Sequence, residues 1–179
     1  MRPVSFRVRA AQPPDIPALM RLKRLLAVGE DSVHALRATE ADWLRDGFIE
    51  KGFTAFIAER ADGGMVDAVA DDGVIGMATC SQRIITGWNG PIVLLQDLFV
   101  EPAYREHGVA RALMARVAAL ACDLGSPIIE LTVRADNPAQ DFYRRAGFQP
   151  IPQCLTYVLA GQALSALAES DKKDLALAG

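Results

Sequence analysis

Residues 96–111 read Gln96-Asp-Leu-Phe-Val100-Glu-Pro-Ala-Tyr-Arg105-Glu-His-Gly108-Val-Ala-Arg111, and the punctuation of this stretch decides the fold. Upstream, residues 91–100 (PIVLLQDLFV) form a long apolar run, the pattern of a strand buried on both faces and central in its sheet. Glu101-Pro102 ends it, because proline has no N–H to give a ladder. Downstream, residues 109–123 (VARALMARVAALACD) make an amphipathic helix with Gly125 after its end. Between the two, Gly108 and Ala110 are small enough for a ligand to approach the backbone closely. The first amides of a helix have no intrahelical acceptor, and the helix dipole favours an anion beside them. The loop is therefore a pyrophosphate cradle in physical terms. It is neither GxxxxGK[ST] nor GxGxxG, which disfavours P-loop and dinucleotide readings. The plainer alternative is an ordinary strand–loop–helix connection.

Outward from this segment the chain reads as alternating strands and helices. Residues 4–9 (VSFRVR) alternate as a first strand. Asp15 is placed to cap a helix with Pro17 in its first turn and an apolar stripe of Ile16, Leu19, Met20, Leu22, Leu25 and Leu26, ending near Gly29. Thr39-Glu-Ala-Asp42 opens a second helix by reciprocal capping, with Trp43, Leu44 and Phe48 as its buried face and Gly47 at its end. Residues 53–59 and 74–86 read as strands, Gly76 as a candidate bulge, and 61–73 as a hairpin connection with Met65–Val69 a candidate short strand. Residues 128–134 are a further strand, Pro138–Ala146 a helix closed by Gly147, and 154–159 (CLTYVL) a last strand. The fold class is α/β (α+β): a mixed, mostly antiparallel sheet flanked by helices on both faces. At 179 residues the expectation is one domain over 1–165 and a C-terminal tail over 166–179.

Composition narrows the function. Apolar residues make up 51% and charged residues 23%, a globular balance that argues against disorder. A net charge of −3 lacks the basic footprint of a nucleic-acid binder. No apolar run approaches a bilayer span, so no membrane partner is expected. Cys80, Cys122 and Cys154 are odd in number and show no CxxC spacing, and His34 and His107 are the two histidines; reduced thiols, no metal and a cytoplasmic location are the expectations.

Two blocks carry a resemblance. Arg105-Glu-His-Gly108-Val-Ala110, after a strand ending in LFVEPAY, resembles the [RQ]-x-x-G-x-[GA] acetyl-CoA loop of the GNAT N-acetyltransferase superfamily. Asn137-Pro-Ala-Gln-Asp-Phe-Tyr143-Arg-Arg-Ala-Gly-Phe148 resembles that family's N-x-x-A-x-x-F-Y-x-x-x-G-F helix, with Asn137 six positions before the tyrosine where seven is usual and Asp136 in the usual place. Residues 39–48 and 86–100 are similar to the diamine and polyamine branch, the spermidine/spermine and thialysine N-acetyltransferases.

The resemblance implies acetyl-CoA as acetyl donor, a GNAT-like fold, a small-molecule amine as partner and a homodimer. It implies that Leu98, Phe99 and Val100 pair through their backbone with the pantetheine. It also implies that Arg105, Glu106, His107, Gly108, Val109, Ala110 and Arg111 hold the pyrophosphate, with Asn137 and Tyr143 completing the coenzyme site. Tyr143 is the implied general acid: a phenol, with an ordinary pKa of about 10, is protonated at neutral pH and can protonate a departing thiolate. Glu30, Gln96 and Asp97 are the implied substrate contacts, and Trp88 a candidate aromatic wall. Gln96 stands where the diamine branch usually has Glu, and an amide cannot serve as a base. Either a water chain takes the proton or the amine enters unprotonated. Peptide N-acetylation and non-catalytic sensing of acetyl-CoA are the competing functions.

Overall fold

The computed structural model describes residues 4–61, 72–87, 90–165 and 168. The candidate strand Met65–Val69 and Trp88 lie outside the described residues. The chain divides into two compact units, Met1–Asn137 and Pro138–Gly179.

The first unit is built on a five-stranded sheet in the order β1-β2-β3-β4-β5, comprising β1 (Phe6–Ala10), β2 (Thr54–Arg60), β3 (Val74–Ile84), β4 (Pro91–Val100) and β5 (Ile129–Leu131). The first three pairings are antiparallel and the β4–β5 pairing is parallel. Helix α1 (Ile16–Gly29) covers one face. Its Leu19 and Leu22 pack with Ile57, Met77 and Phe99 in the main core cluster. Helix α3 (Val109–Asp123) covers the other, where Leu113 would touch any Cβ placed on Gly76 and Arg116 lies over Phe56.

Local chemistry explains the helix starts. Thr39 accepts from the Asp42 amide at 3.2 Å, and the Asp42 carboxylate takes the Thr39 amide at 2.8 Å. This box opens α2 (Glu40–Trp43), which runs on as a π-helix over Leu44–Ile49. Gly47 therefore lies inside the helix rather than ending it. The reason is packing: a Cβ on Gly47 would lie 2.4 Å from the Phe53 ring, which itself meets Trp43 edge-on. Trp43 and Phe48 pack on the core as expected, but Leu44 turns to solvent. Leu25, expected in the α1 stripe, is likewise exposed. Asp15 precedes α1, yet its carboxylate takes the Gln12 amide and the Arg9 guanidinium instead of the first α1 amides.

Two irregularities break the sheet. Ala58 pairs with Gly76 and Glu59 with Val74, so Ile75, beside Gly76, is the extra residue on β3. Thr79 pairs with Asp97 and Cys80 with Leu95, so Gln96 is the extra residue on β4.

In the second unit, α4 (Gln140–Arg145) ends as the sequence predicts, with Gly147 in the left-handed region at φ 98°. The expected last strand at 154–159 is not formed; these residues are non-strand and exposed. An extended segment becomes a strand only when a partner satisfies its N–H and C=O groups, and apolar content alone does not supply one.

Candidate functional site

The parallel pairing of β4 with β5 covers only Val93–Leu95, because β5 stops at Leu131. From Gln96 to Val100 the β5 side of β4 is open, while β3 stays paired as far as Val100 on the other side. Which backbone groups face the opening follows from parity. The Val93 amide donates to the Ile128 carbonyl, so Val93 and Leu95 face β5. The Glu101 amide donates to the Ile75 carbonyl, so Glu101, Phe99 and Asp97 face β3. The extra residue at Gln96 changes the phase between these two segments. Leu98 and Val100 consequently turn their N–H and C=O groups into the opening. Without the bulge, Asp97 and Phe99 would do so.

The loop beyond β4 forms the second part of the site. A short 3-10 turn over Pro102–Tyr104 leads to Glu106 at φ 66° and Gly108 at φ 84°. Left-handed residues two positions apart turn the backbone sharply just before the helix, and successive amides in such turns can make an anion nest. Among the described residues the amides of Glu106, His107, Gly108, Val109, Ala110 and Arg111 have no protein acceptor. They sit at the start of the 15-residue helix α3, so its dipole adds to their pull on an anion. No atom lies within 4 Å of where a Gly108 Cβ would stand, so the space in front of the loop is open. Free amides at a helix start next to an exposed strand edge are the donors that a diphosphate joined to an amide-bearing chain, the form of coenzyme A, would need.

The arginines divide. Arg105 folds back on β4: its Nε donates to the Val100 carbonyl at 3.1 Å and its guanidinium lies 5.9 Å from the Phe99 ring centre. Its side chain thus braces the strand end and is engaged within the protein. Arg111 is exposed on α3 and forms no ion pair among the described residues.

Gln96 is exposed at the bulge, and its neighbour Asp97 is buried at 8% exposure. Asp97 is not a free carboxylate. Thr79 Oγ1 donates to its Oδ2 at 2.7 Å, and Lys23 from α1 forms an ion pair with its Oδ1. The expected substrate contact at Asp97 thus has both oxygens engaged within the protein. Sequence reasoning missed Lys23 and Thr79. A signal existed for Lys23, which follows Leu19 by one helical turn and shares the apolar stripe of α1.

Glu30 and Asp31 form an exposed acidic turn at the end of α1, with Asp31 at φ 53°. They act electrostatically on Arg134, just past β5. Its bidentate partner Asp136, at 2.7 and 2.9 Å, raises the Arg134 pKa most, and Glu30 and Asp31 add to that. Asn137 ends the first unit, its amide donating to the Arg134 carbonyl at 3.1 Å. Tyr143 belongs to the second unit, where its ring meets Phe142 and Phe148 edge-on at 5.4 and 5.7 Å. The structure therefore brings Gln96–Val100 and Arg105–Arg111 together in one unit. A separate cavity of about 300 Å³, lined by Lys51, Phe53, Cys80, Gln82 and Leu120, lies toward the opposite end of α3 and includes none of the expected site residues.

The sequence model for the acetyltransferase (GNAT) family matches residues 31–148. The chain is 30% identical over 171 residues to a mouse (Mus musculus) protein named thialysine N-epsilon-acetyltransferase, covering 92% of this chain and 98% of that one. It is 31% identical over 117 residues to human (Homo sapiens) spermidine/spermine N(1)-acetyltransferase-like protein 1, covering 65% of this chain and 16% of that one. Among solved structures, an aminoglycoside N-acetyltransferase in complex with CoA superimposes with a TM-score of 0.65 at 22% identity, covering 89% of this chain and 98% of that one. An integron cassette protein from the mobile metagenome of V. cholerae superimposes with a TM-score of 0.66 at 23% identity, covering 92% and 98%. These superpositions speak to the fold.

Proposed function

The chain belongs to the acetyltransferase (GNAT) family, and from that premise we propose that this N-acetyltransferase moves an acetyl group from acetyl-CoA to the primary amine of a small molecule. Diamines, polyamines and lysine-like amino acids are the favoured acceptors. The observation that carries the proposal is the set of unpaired amides from Glu106 to Arg111 beside the open edge of β4. The relative named for thialysine, matched over almost its whole length, supports an amine of that size.

When bound, the coenzyme supplies an activated acetyl thioester. The loop amides hold its diphosphate, and the Leu98 N–H and C=O pair with its pantetheine. A fixed amide at this edge also stabilises negative charge on the acetyl oxygen, and being part of the strand it needs no reorganisation to do so. Gln96 holds the acceptor amine by hydrogen bonds, and Glu30 attracts a cationic tail. Tyr143 gives its phenolic proton to the departing sulfur, a role that rests on its place in the Asn137–Phe148 block. With Asp97 satisfied internally, the amine proton leaves to water.

The test is thiol release with an amine panel. Turnover of putrescine, spermidine or thialysine supports the proposal. Turnover confined to peptides would replace it with peptide acetylation, and tight CoA binding without turnover would replace it with sensing. The proposal includes a cytoplasmic homodimer, and light scattering in solution tests the dimer.

A further inference from the structure

We propose that Thr79, Asp97 and Lys23 form a latch that holds the β-bulge at Gln96, and through it the outward orientation of the Leu98 amide and carbonyl. Asp97 is the first residue after the bulge, and Thr79, directly across the ladder, is the residue at which the register shifts. Thr79 and Asp97 are buried to 2% and 8% exposure and are the two buried polar side chains among the described residues. Each Asp97 oxygen has its own partner, one from β3 and one from α1, so the carboxylate is tied in two directions.

Two registers compete at this point. Expelling the extra residue would set Gln96 opposite Thr79 and move Asp97 opposite Ala78. Leu98 would then turn its amide toward β3 and away from the opening. Apolar packing distinguishes these registers weakly, because both sides of β4 are flanked by apolar residues. A carboxylate that must meet both a hydroxyl and an ammonium distinguishes them strongly, since in the slipped register it would be buried without partners. An apolar pair would pack at this position with similar stability, so what the polar set adds is a specified register. All three are positioning residues, acting on the site through the β4 backbone.

The link from latch to turnover rests on the proposal that the thioester lies along Leu98; the link from latch to bulge does not. The test combines amide hydrogen exchange across 92–100 with kinetics, in Thr79→Val and in the conservative Thr79→Ser. Thr79→Val should speed exchange at Asp97 and Phe99, whose amides face β3, about tenfold while β2 exchanges as in the parent. It should lower kcat roughly tenfold or more, since a displaced donor loses aim. The Kd of CoA measured by calorimetry should weaken by no more than about tenfold, because the Leu98 pairing with the pantetheine is lost while the distant loop amides are untouched. Thr79→Ser should restore both exchange and kcat. Parent-like exchange in a folded Thr79→Val protein overturns the latch, whatever happens to kcat. Faster exchange with unchanged kcat supports the latch and removes Leu98 from the thioester site. If Thr79→Val does not fold, Lys23→Met, at a half-buried helix position, is judged by the same two readouts.

Discussion

Gly108 separates the cost of folding from the cost of binding, which makes it the sharpest probe of the anion loop. It sits at φ 84° immediately before α3. A Cβ there meets nothing within 4 Å, so a substitution creates no clash inside the protein. Gly108→Ala therefore carries only the left-handed backbone penalty, about 1–2 kcal/mol. For a domain of this size, each 1 kcal/mol lowers Tm by roughly 2–4 °C. Gly108→Glu adds little more to folding, because the side chain projects into open space. Binding should respond very differently. A carboxylate about 5 Å from one phosphate charge, at an effective dielectric near 20, is repelled by roughly 3 kcal/mol, on the order of a hundredfold in Kd. The extra side chain also stands where the diphosphate must approach. Calorimetry with CoA and a thermal melt read the two quantities separately. Parent-like CoA affinity in a folded Gly108→Glu protein would refute the loop as the diphosphate site.

Other consequences follow from particular residues. Tyr143→Phe should lower kcat by about 10²-fold or more with little change in CoA affinity, measured by thiol release and calorimetry; an unchanged kcat, with chemistry rate-limiting, removes the tyrosine as acid. Cys122 and Cys154 are exposed, whereas burial pushes the Cys80 thiol up to about 11. A disulfide reagent near pH 8 should therefore titrate two thiols in the native protein and the third only in denaturant, and rapid native reaction of all three contradicts the burial of Cys80. The Arg9 guanidinium holds the Asp15 carboxyl below the usual carboxylate range. A depressed folded-state pKa means this stabilisation is complete above about pH 4 and is lost as pH falls through the lowered value. Tm should drop in that acid range, and Asp15→Asn should make the drop shallower; an equally steep acid limb in the variant would show that the Arg9–Asp15 pair is not responsible.

Much of the site was legible because its signals are local. The end of β4, the small residues of the loop, the amphipathic run of α3 and the Thr39–Asp42 box each depend on neighbours within one or two turns of chain. The opposite holds for 154–159 and Gly47. The first is apolar enough to be a strand but has no partner ladder, and the second has the local pattern of a helix end although the ring of Phe53 is what needs the space.

From its order of residues alone this chain specified a central strand running through a loop of small residues into a helix start, since strand breakers, small residues and helical periodicity act at short range. Tertiary structure alone decided that β5 stops beside Leu95, that Gln96 is the residue left over, and that Leu98 faces the opening. It also decided that Asp97 is spent on Lys23, 74 residues away, and on Thr79, 18 residues away. The reason is that register and charge pairing belong to contacts between distant segments, and no local pattern encodes which partner a strand or a carboxylate will meet.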